Sequence, residues 1–440
     1  MNSDFIVGMT LGNCYSTSIL TRSLLPHLIF SLLVLITLSQ PLYSQMPGDN
    51  KSGQDNFIKF RSELLKEHRR AKADSLTEPR KAKLEEALLF IEQNNIIESL
   101  RFGHHHFFPN FGGLTTGSGL ALGVRYWNNA LVENSIVFWS VTWSTKGYQQ
   151  YLAGLNCRPF KSTPLTIGLD SRYRNFPQED YFGTGPHSSK EDEANYRLED
   201  FSANAKLTLN VLSYLDAGLR VGYLKSRTAS GTSKESPSVD EVFTGKDIPP
   251  GFSENIKHRV IGIMVNLDLR DSPGNPRSGV GLFFDHSFFK DAGSDRYDFR
   301  WSSFEFQGYL PFFHKHRIFA LRVRMTDTNG NDGGEIPFYY MPFIGGHQSI
   351  RGFKEFRFRD GKALLLNLEY RFEAFMGLEM ALFGDLGQVG RSWDGFRLSS
   401  FESSYGAGFR FNTAQSVFLR LDVGHGREGT RFFFKFGNVF

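Results

Sequence analysis

The stretch Ala363–Glu373, ALLLNLEYRFE, decides how this 440-residue chain is read. Successive side chains of a strand point to opposite faces. Leu364, Leu366, Leu368, Tyr370 and Phe372 then share one face, and Leu365, Asn367, Glu369, Arg371 and Glu373 the other. The same alternation recurs. Phe319, Leu321, Val323 and Met325 alternate with Ala320, Arg322, Arg324 and Thr326. Val417, Leu419, Leu421 and Val423 alternate with Phe418, Arg420, Asp422 and Gly424. Ile263, Val265, Leu267 and Leu269 alternate with Met264, Asn266, Asp268 and Arg270. In a soluble sandwich the polar face meets bulk water, and Ser, Thr and Lys serve there. Charges of both signs on strand after strand fit a wall with lipid on one side and a wet lumen on the other.

Composition agrees with strands. Phe and Gly each number 44 and aromatics make up 15%, which suits aromatic-faced strands and excludes a disordered chain. No set of apolar runs of about 20 residues is present, so a helical membrane protein is excluded. Lys+Arg 50 against Asp+Glu 46 is too balanced to point to nucleic acid. Cys14 and Cys157 cannot build a disulfide framework or a thiolate metal site. His104, His105 and His106 run consecutively without nearby carboxylates, unlike ligands spaced along one face. No nucleophile-elbow, phosphate-loop or dinucleotide pattern appears. No cofactor, metal or enzymatic activity is expected.

Strands are expected near 101–113, 117–127, 133–143, 147–157, 163–174, 200–211, 214–226, 258–270, 279–290, 297–310, 317–327, 363–373, 377–389, 403–412, 415–424 and 430–440. The fold class is thus all-β and transmembrane: an antiparallel outer-membrane β-barrel of about sixteen strands, with a short N-terminal helical segment. Parity checks the count. The long connectors at 175–199, 228–257 and 328–362 each follow an odd-numbered strand, and tight turns such as Leu212–Ser213 follow even ones. Both termini then lie in the periplasm, with long loops outside.

The N-terminal end reads as an address. Leu28–Leu38, LIFSLLVLITL, has the length of a signal-peptide core, and Arg22 supplies the positive flank. Residues 1–44 are expected to be removed, with Ser44–Gln45 the cleavage point. Residues 45–100 are polar, with Leu84, Leu88 and Ile91 at helical spacing and Thr77 as a cap before Pro79. They read as a periplasmic or plug helical segment, or equally as a solvated linker. The barrel takes 101–440.

Three motifs follow in order: DLRDSPGNPRSG at Asp268–Gly279, MPFIGGHQSIRGF at Met341–Phe353, and FGDLG at Phe383–Gly387. Together they resemble the BamA/TamA superfamily of outer-membrane barrels, the bacterial surface antigen family. That family has an Arg-Gly-Phe/Tyr tip on its sixth outer loop and a Phe/Trp-x-Asp-x-Gly motif on its thirteenth strand. Here Arg351, Gly352 and Phe353 fall after the eleventh expected strand, and Phe383, Asp385 and Gly387 on the thirteenth. DYFGTGP, Asp180–Pro186, is similar to the family's Tyr-Gly-x-Gly segment, with Phe182 interposed. The resemblance implies a loop folded into the lumen. Strand parity puts Asp385 on the inner face, so an inward loop brings Arg351 to it as a bidentate pair. Gly352 would allow a tight tip and Phe353 would pack on the inner wall. The pair either locks a plug or takes part in gating. Phe436 and Phe440, on an amphipathic last strand, resemble the C-terminal signal read by the barrel-assembly machinery.

The resemblance implies assembly or translocation of proteins at the bacterial outer membrane. Expected partners are outer-membrane lipids, periplasmic or lipoprotein partners and unfolded outer-membrane proteins. About 55 helical residues before the barrel are too few for a POTRA module, so none is expected there. Two other readings stand beside this one. The first is a gated or passive channel through the charged lumen. The second is a surface-exposed binding or anchor barrel working through 175–199 and 228–257.

Overall fold

The computed structural model describes residues 106–436 except 113, 116, 130, 132–133, 160–162, 314–315, 332, 376 and 413–416. The expected signal peptide, the 45–100 segment, His104, His105 and Phe440 lie outside the described residues.

Sixteen antiparallel strands make one sheet. They are β1 (Phe107–Gly112), β2 (Ala121–Asn128), β3 (Ser135–Ser144), β4 (Gln149–Cys157), β5 (Leu165–Tyr181), β6 (Ala194–Leu212), β7 (Leu215–Ser230) and β8 (Asn255–Asp268). The wall continues through β9 (Gly279–Asp291), β10 (Phe299–Phe312) and β11 (Arg317–Gly330). A two-stranded ladder, β12 (Phe343–Ile344) with β13 (Phe358–Arg359), sits apart inside the 331–361 loop. The wall resumes with β14 (Lys362–Phe375), β15 (Leu378–Gly390), β16 (Glu402–Asn412), β17 (Val417–Gly426) and β18 (Gly429–Phe436). One turn of helix, α1 (Val239–Val242), lies in the 231–254 loop.

Each wall strand bonds to its neighbours in chain order, with β14 beside β11. This is a nearly closed barrel. Among the described residues no ladder joins β1 to β18. The two meet at Gly112, where a Cβ would stand 3.2 Å from the Phe436 ring.

The outward faces carry the apolar belt, with Leu219, Ile261, Phe319, Leu368, Leu382, Phe409, Phe432 and Phe434 all exposed. Aromatic clusters edge it at both ends, as in membrane barrels. At the outer end Trp143 meets Tyr151 edge-on, and Tyr151 stacks on Tyr173. Phe312, Phe319, Tyr370 and Phe372 stack at the periplasmic end. No described helix is long and apolar enough to cross a membrane.

The outer ends of β5, β6 and β7 reach further than the sequence suggests. β5 runs to Tyr181 instead of 174, β6 begins at Ala194 instead of 200, and β7 reaches Ser230 instead of 226. Their outer ends stand above the aromatic edge in water, and there the face polarity inverts. Phe176, Tyr181, Tyr196, Leu198 and Leu224 point inward and are buried, while Arg197, Glu199, Lys225 and Arg227 are on the outside. An alternation that puts apolar residues toward lipid therefore fails above the bilayer, where apolar residues must avoid solvent. A bulge between Phe176 and Glu179 breaks the period further.

Candidate functional site

The 331–361 loop enters the lumen and places its tip against the inner faces of β14 to β17. Arg351 is fully buried. Its backbone N–H donates to Asp385 Oδ2 at 3.1 Å, its Nε to the same oxygen at 2.9 Å, and its Nη2 to Oδ1 at 2.7 Å. Asp385 is on β15 with its side chain inward. Asn367 of β14 donates to Asp385 Oδ1 at 2.8 Å and to the loop's Ser349 carbonyl at 2.8 Å. Ser404 of β16 donates to Asp385 Oδ2 at 3.2 Å. The carboxylate, carried by β15, is thereby held from its two neighbouring strands and the loop.

Arg351 Nη1 also donates to Glu369, which accepts from Arg371 at 2.7 Å and from Arg410 at 3.1 Å. Arg410 and Arg420 both pair with Asp422. Taking these charges out of water is costly, and only a dense set of opposite partners offsets it. The Arg351 guanidinium lies over the Phe383 ring, 3.4 Å from its centroid, adding a cation–π contact.

Room for the tip comes from glycines. Phe383 of β15, Gly406 of β16 and Gly424 of β17 stand in register. A Cβ on Gly406 would be 2.5 Å from the Phe383 ring, and one on Gly424 would be 2.4 Å from the Arg351 carbonyl oxygen. Gly352 sits in a tight turn, closed by the Phe353 amide donating to the Ile350 carbonyl at 3.2 Å, without entering the left-handed region. Its role is close approach, because a Cβ there would be 2.5 Å from the Gly426 nitrogen. Phe353 is fully buried with Ile344, Ile350, Phe358, Leu365 and Val389, packs on Phe358 at 5.4 Å and leans on Gly426. Gly387 faces Ile350, whose Cδ1 would be 2.8 Å from an added Cβ. On β18, the Phe436 side chain faces outward.

The base of the loop is tied to its neighbours. Arg357 donates to the Ser188 carbonyl at 2.9 Å and to Glu428 at 2.8 Å, joining the 182–193 loop to the 427–428 turn. Arg359 donates to the Phe338 carbonyl at 2.7 Å. Phe338, Tyr339 and Tyr340 fill the outer lumen together with Tyr181, Tyr196, Phe289 and Phe299.

A family model for the Omp85 superfamily domain matches residues 129–440. The chain belongs to the Omp85 superfamily. Among solved structures, this Omp85 barrel is similar to BamA from Haemophilus ducreyi lacking POTRA domains 1-3. The identity is 14%, over 80% of this chain and 77% of that one, with a TM-score of 0.54. It is also similar to CdiB from Escherichia coli, at 12% identity, over 75% of this chain and 61% of that one, with a TM-score of 0.50. At such identities the likeness is one of fold. A search of curated proteins gives no match. Family and fold place the protein in the bacterial outer membrane.

The other two motifs also take places in the Omp85 barrel. In the DYFGTGP segment, the Gly185 amide donates to the Arg359 carbonyl at 2.7 Å, and the interposed Phe182 lies under Arg357, 5.1 Å from its guanidinium. In DLRDSPGNPRSG, Asp271 accepts from the amides of Arg277 and Ser278. This turn crosses the periplasmic mouth. Gly274 accepts from the Val417 amide on β17 at 3.4 Å, and Arg277 reaches Glu379 of β15 at 3.6 Å.

Glu369, Asn367, Arg410 and Asp422 are partners of the loop that the sequence does not single out. Their inward parity is visible there, but their register with Arg351 is not. The inward glycines Gly406, Gly424 and Gly426 are likewise unmarked in the sequence.

Proposed function

We propose that this Omp85 barrel assists the assembly or translocation of proteins at the outer membrane, working through its wall rather than its lumen. One contrast carries the reading. The lumen is filled by a loop held through a buried ionic network and roofed by aromatic side chains, whereas β1 and β18 share no ladder among the described residues. Opening the lumen breaks several charge-assisted bonds in a low-dielectric site. Parting β1 from β18, which no ladder joins among the described residues, asks far less. A strand presented by an unfolded barrel can pair with an exposed strand edge through backbone hydrogen bonds. The partners of this reading are unfolded outer-membrane proteins, outer-membrane lipids, and a periplasmic or lipoprotein partner that delivers cargo. The chemistry is non-enzymatic.

Quantitative proteomics of outer membranes from a strain lacking the protein tests this. Selective loss of other barrels or exported proteins is expected. An unchanged proteome, with ion conductance by the purified barrel in planar bilayers, would overturn it in favour of a channel.

A further inference from the structure

The 391–401 loop, RSWDGFRLSSF, folds outward and down over the lipid-facing wall. Trp393 Nε1 donates to Asp327 Oδ1 on β11 at 3.1 Å, so the loop passes over β14 to reach it. Arg397 N–H donates to Gln388 Oε1 at 3.3 Å, and Gln388 donates to the Gly395 carbonyl at 3.4 Å. The Phe396 ring covers Gly390, where a Cβ would be 3.1 Å from it. Register fixes the height. Asp327, Lys362 and Gly390 form one outward row, and Met325, Leu364 and Gln388 the next. Directly below lie Val323, Leu366 and Leu386, which belong to the lipid-facing belt. The loop therefore rests on the rim of the hydrocarbon, where headgroups begin.

Its composition suits that depth. Leu398 is 93% exposed, the most exposed large apolar side chain among the described residues. Trp393 and Phe396 pack together at 4.8 Å. Arg391 and Arg397 are exposed and make no ion pair among the described residues, and Asp394 is the loop's one acid. Aromatic and apolar side chains flanked by arginines settle at a membrane interface, the rings at headgroup level and the guanidinium groups on phosphates.

We infer that the 391–401 loop is a lipid-contact site, with Leu398 inserted at the acyl boundary and Arg391 and Arg397 binding the phosphates of outer-leaflet headgroups. The site clamps one sector of the wall, β11 to β15, to the outer leaflet. That sector backs the inner faces on which Asp385 and Glu369 hold the loop tip. The inference is independent of the proposed function.

The test uses the full chain with Cys14→Ser and Cys157→Ser, labelled with a polarity-sensitive fluorophore at Leu398→Cys or, separately, at Ser399→Cys. A label at Ser189→Cys, on the 182–193 loop above the membrane, is the aqueous reference. The barrels are placed in phosphatidylcholine vesicles with or without phosphatidic acid. The expected result is a blue-shifted Leu398 label, quenched by doxyl lipid and poorly by iodide, and deeper when phosphatidic acid is present. Arg391→Ser with Arg397→Ser should abolish the phosphatidic-acid effect, at roughly fivefold in partition per arginine, and the paired Lys variant should restore it. Free inorganic phosphate should change nothing. Iodide quenching equal to that at Ser189 for both labels would overturn the insertion. Depth indifferent to phosphatidic acid, or an equal response to free phosphate, would overturn the headgroup assignment.

Discussion

Arg351 binds Asp385 with its main chain and its side chain at once. The amide, Nε and Nη2 all donate to the one carboxylate. Such a contact fixes the position of the loop tip as well as its charge, and a lysine cannot reproduce it.

Arg351→Ala and Asp385→Ala should each destabilise the barrel by about 3–5 kcal/mol, because each strands a buried opposite charge. The double variant should cost clearly less than the sum of the two singles, since the Arg351–Asp385 contact is already lost in each. Unfolding in urea, followed by the loss of heat-modifiable gel mobility, measures this. Fully additive losses would show that the two residues act separately.

Two glycines separate crowding from flexibility. Gly352→Ala puts a methyl group 2.5 Å from the Gly426 nitrogen and should cost about 1–3 kcal/mol by overpacking. Gly384 faces outward on β15 with nothing within 4 Å of an added Cβ, so Gly384→Ala should be silent. Trypsin cleavage at Lys354 should rise in the first variant only. Equal behaviour of the pair would refute close approach as the reason for Gly352.

The outer cap should weaken as pH rises. Glu179 is 4% exposed, six residues past Tyr173 and therefore above the membrane. Burial, with Glu355 and Asp180 beside it, raises its carboxyl to about 8, and burial raises Asp180 to about 7. The folded state thus holds protons that the unfolded chain releases near pH 4.5. Stability falls between that pH and about 8, and is flat above it. Melting temperatures of the detergent-solubilised protein from pH 5 to 9 should follow this course, and Glu179→Gln should flatten much of it. A melting temperature that climbs over the same range would contradict the assignment.

Leu382 on the lipid-facing side of β15 is half exposed, at 52%. Leu382→Arg should cost about 1–2 kcal/mol of barrel stability in lipid, because it places a charge in the hydrocarbon beside Tyr370, toward its periplasmic edge. Reversible unfolding from vesicles measures it. No loss in lipid would mean that this face does not meet the acyl chains.

The wall was legible in the sequence because lipid and lumen impose opposite demands on neighbouring residues. Leu368 and Glu369 could not exchange places, and that constraint repeats along every spanning strand. The upper parts of β5 to β7 were not legible, because water replaces lipid there and Tyr196 and Arg197 obey the opposite rule. At the site, the inward face of Asp385 followed from parity alone. Its meeting with Arg351 did not, because a loop of thirty-one residues, 331–361, has no register to count. The glycines at 406 and 424 were visible one by one, but they form a groove only when β16 and β17 are aligned.

The inversion of polarity along β5 to β8 has a mechanical consequence. The same strands that show Leu219 and Ile261 to lipid show Arg227 and Lys257 a few residues higher. Sliding the barrel toward the periplasm would drag that charged collar into hydrocarbon, at a few kcal/mol for each side chain. Sliding it outward would expose the belt to water. The collar works as a flange: it sets the depth at which the protein rides, and it lets the wall flex sideways without letting the barrel sink.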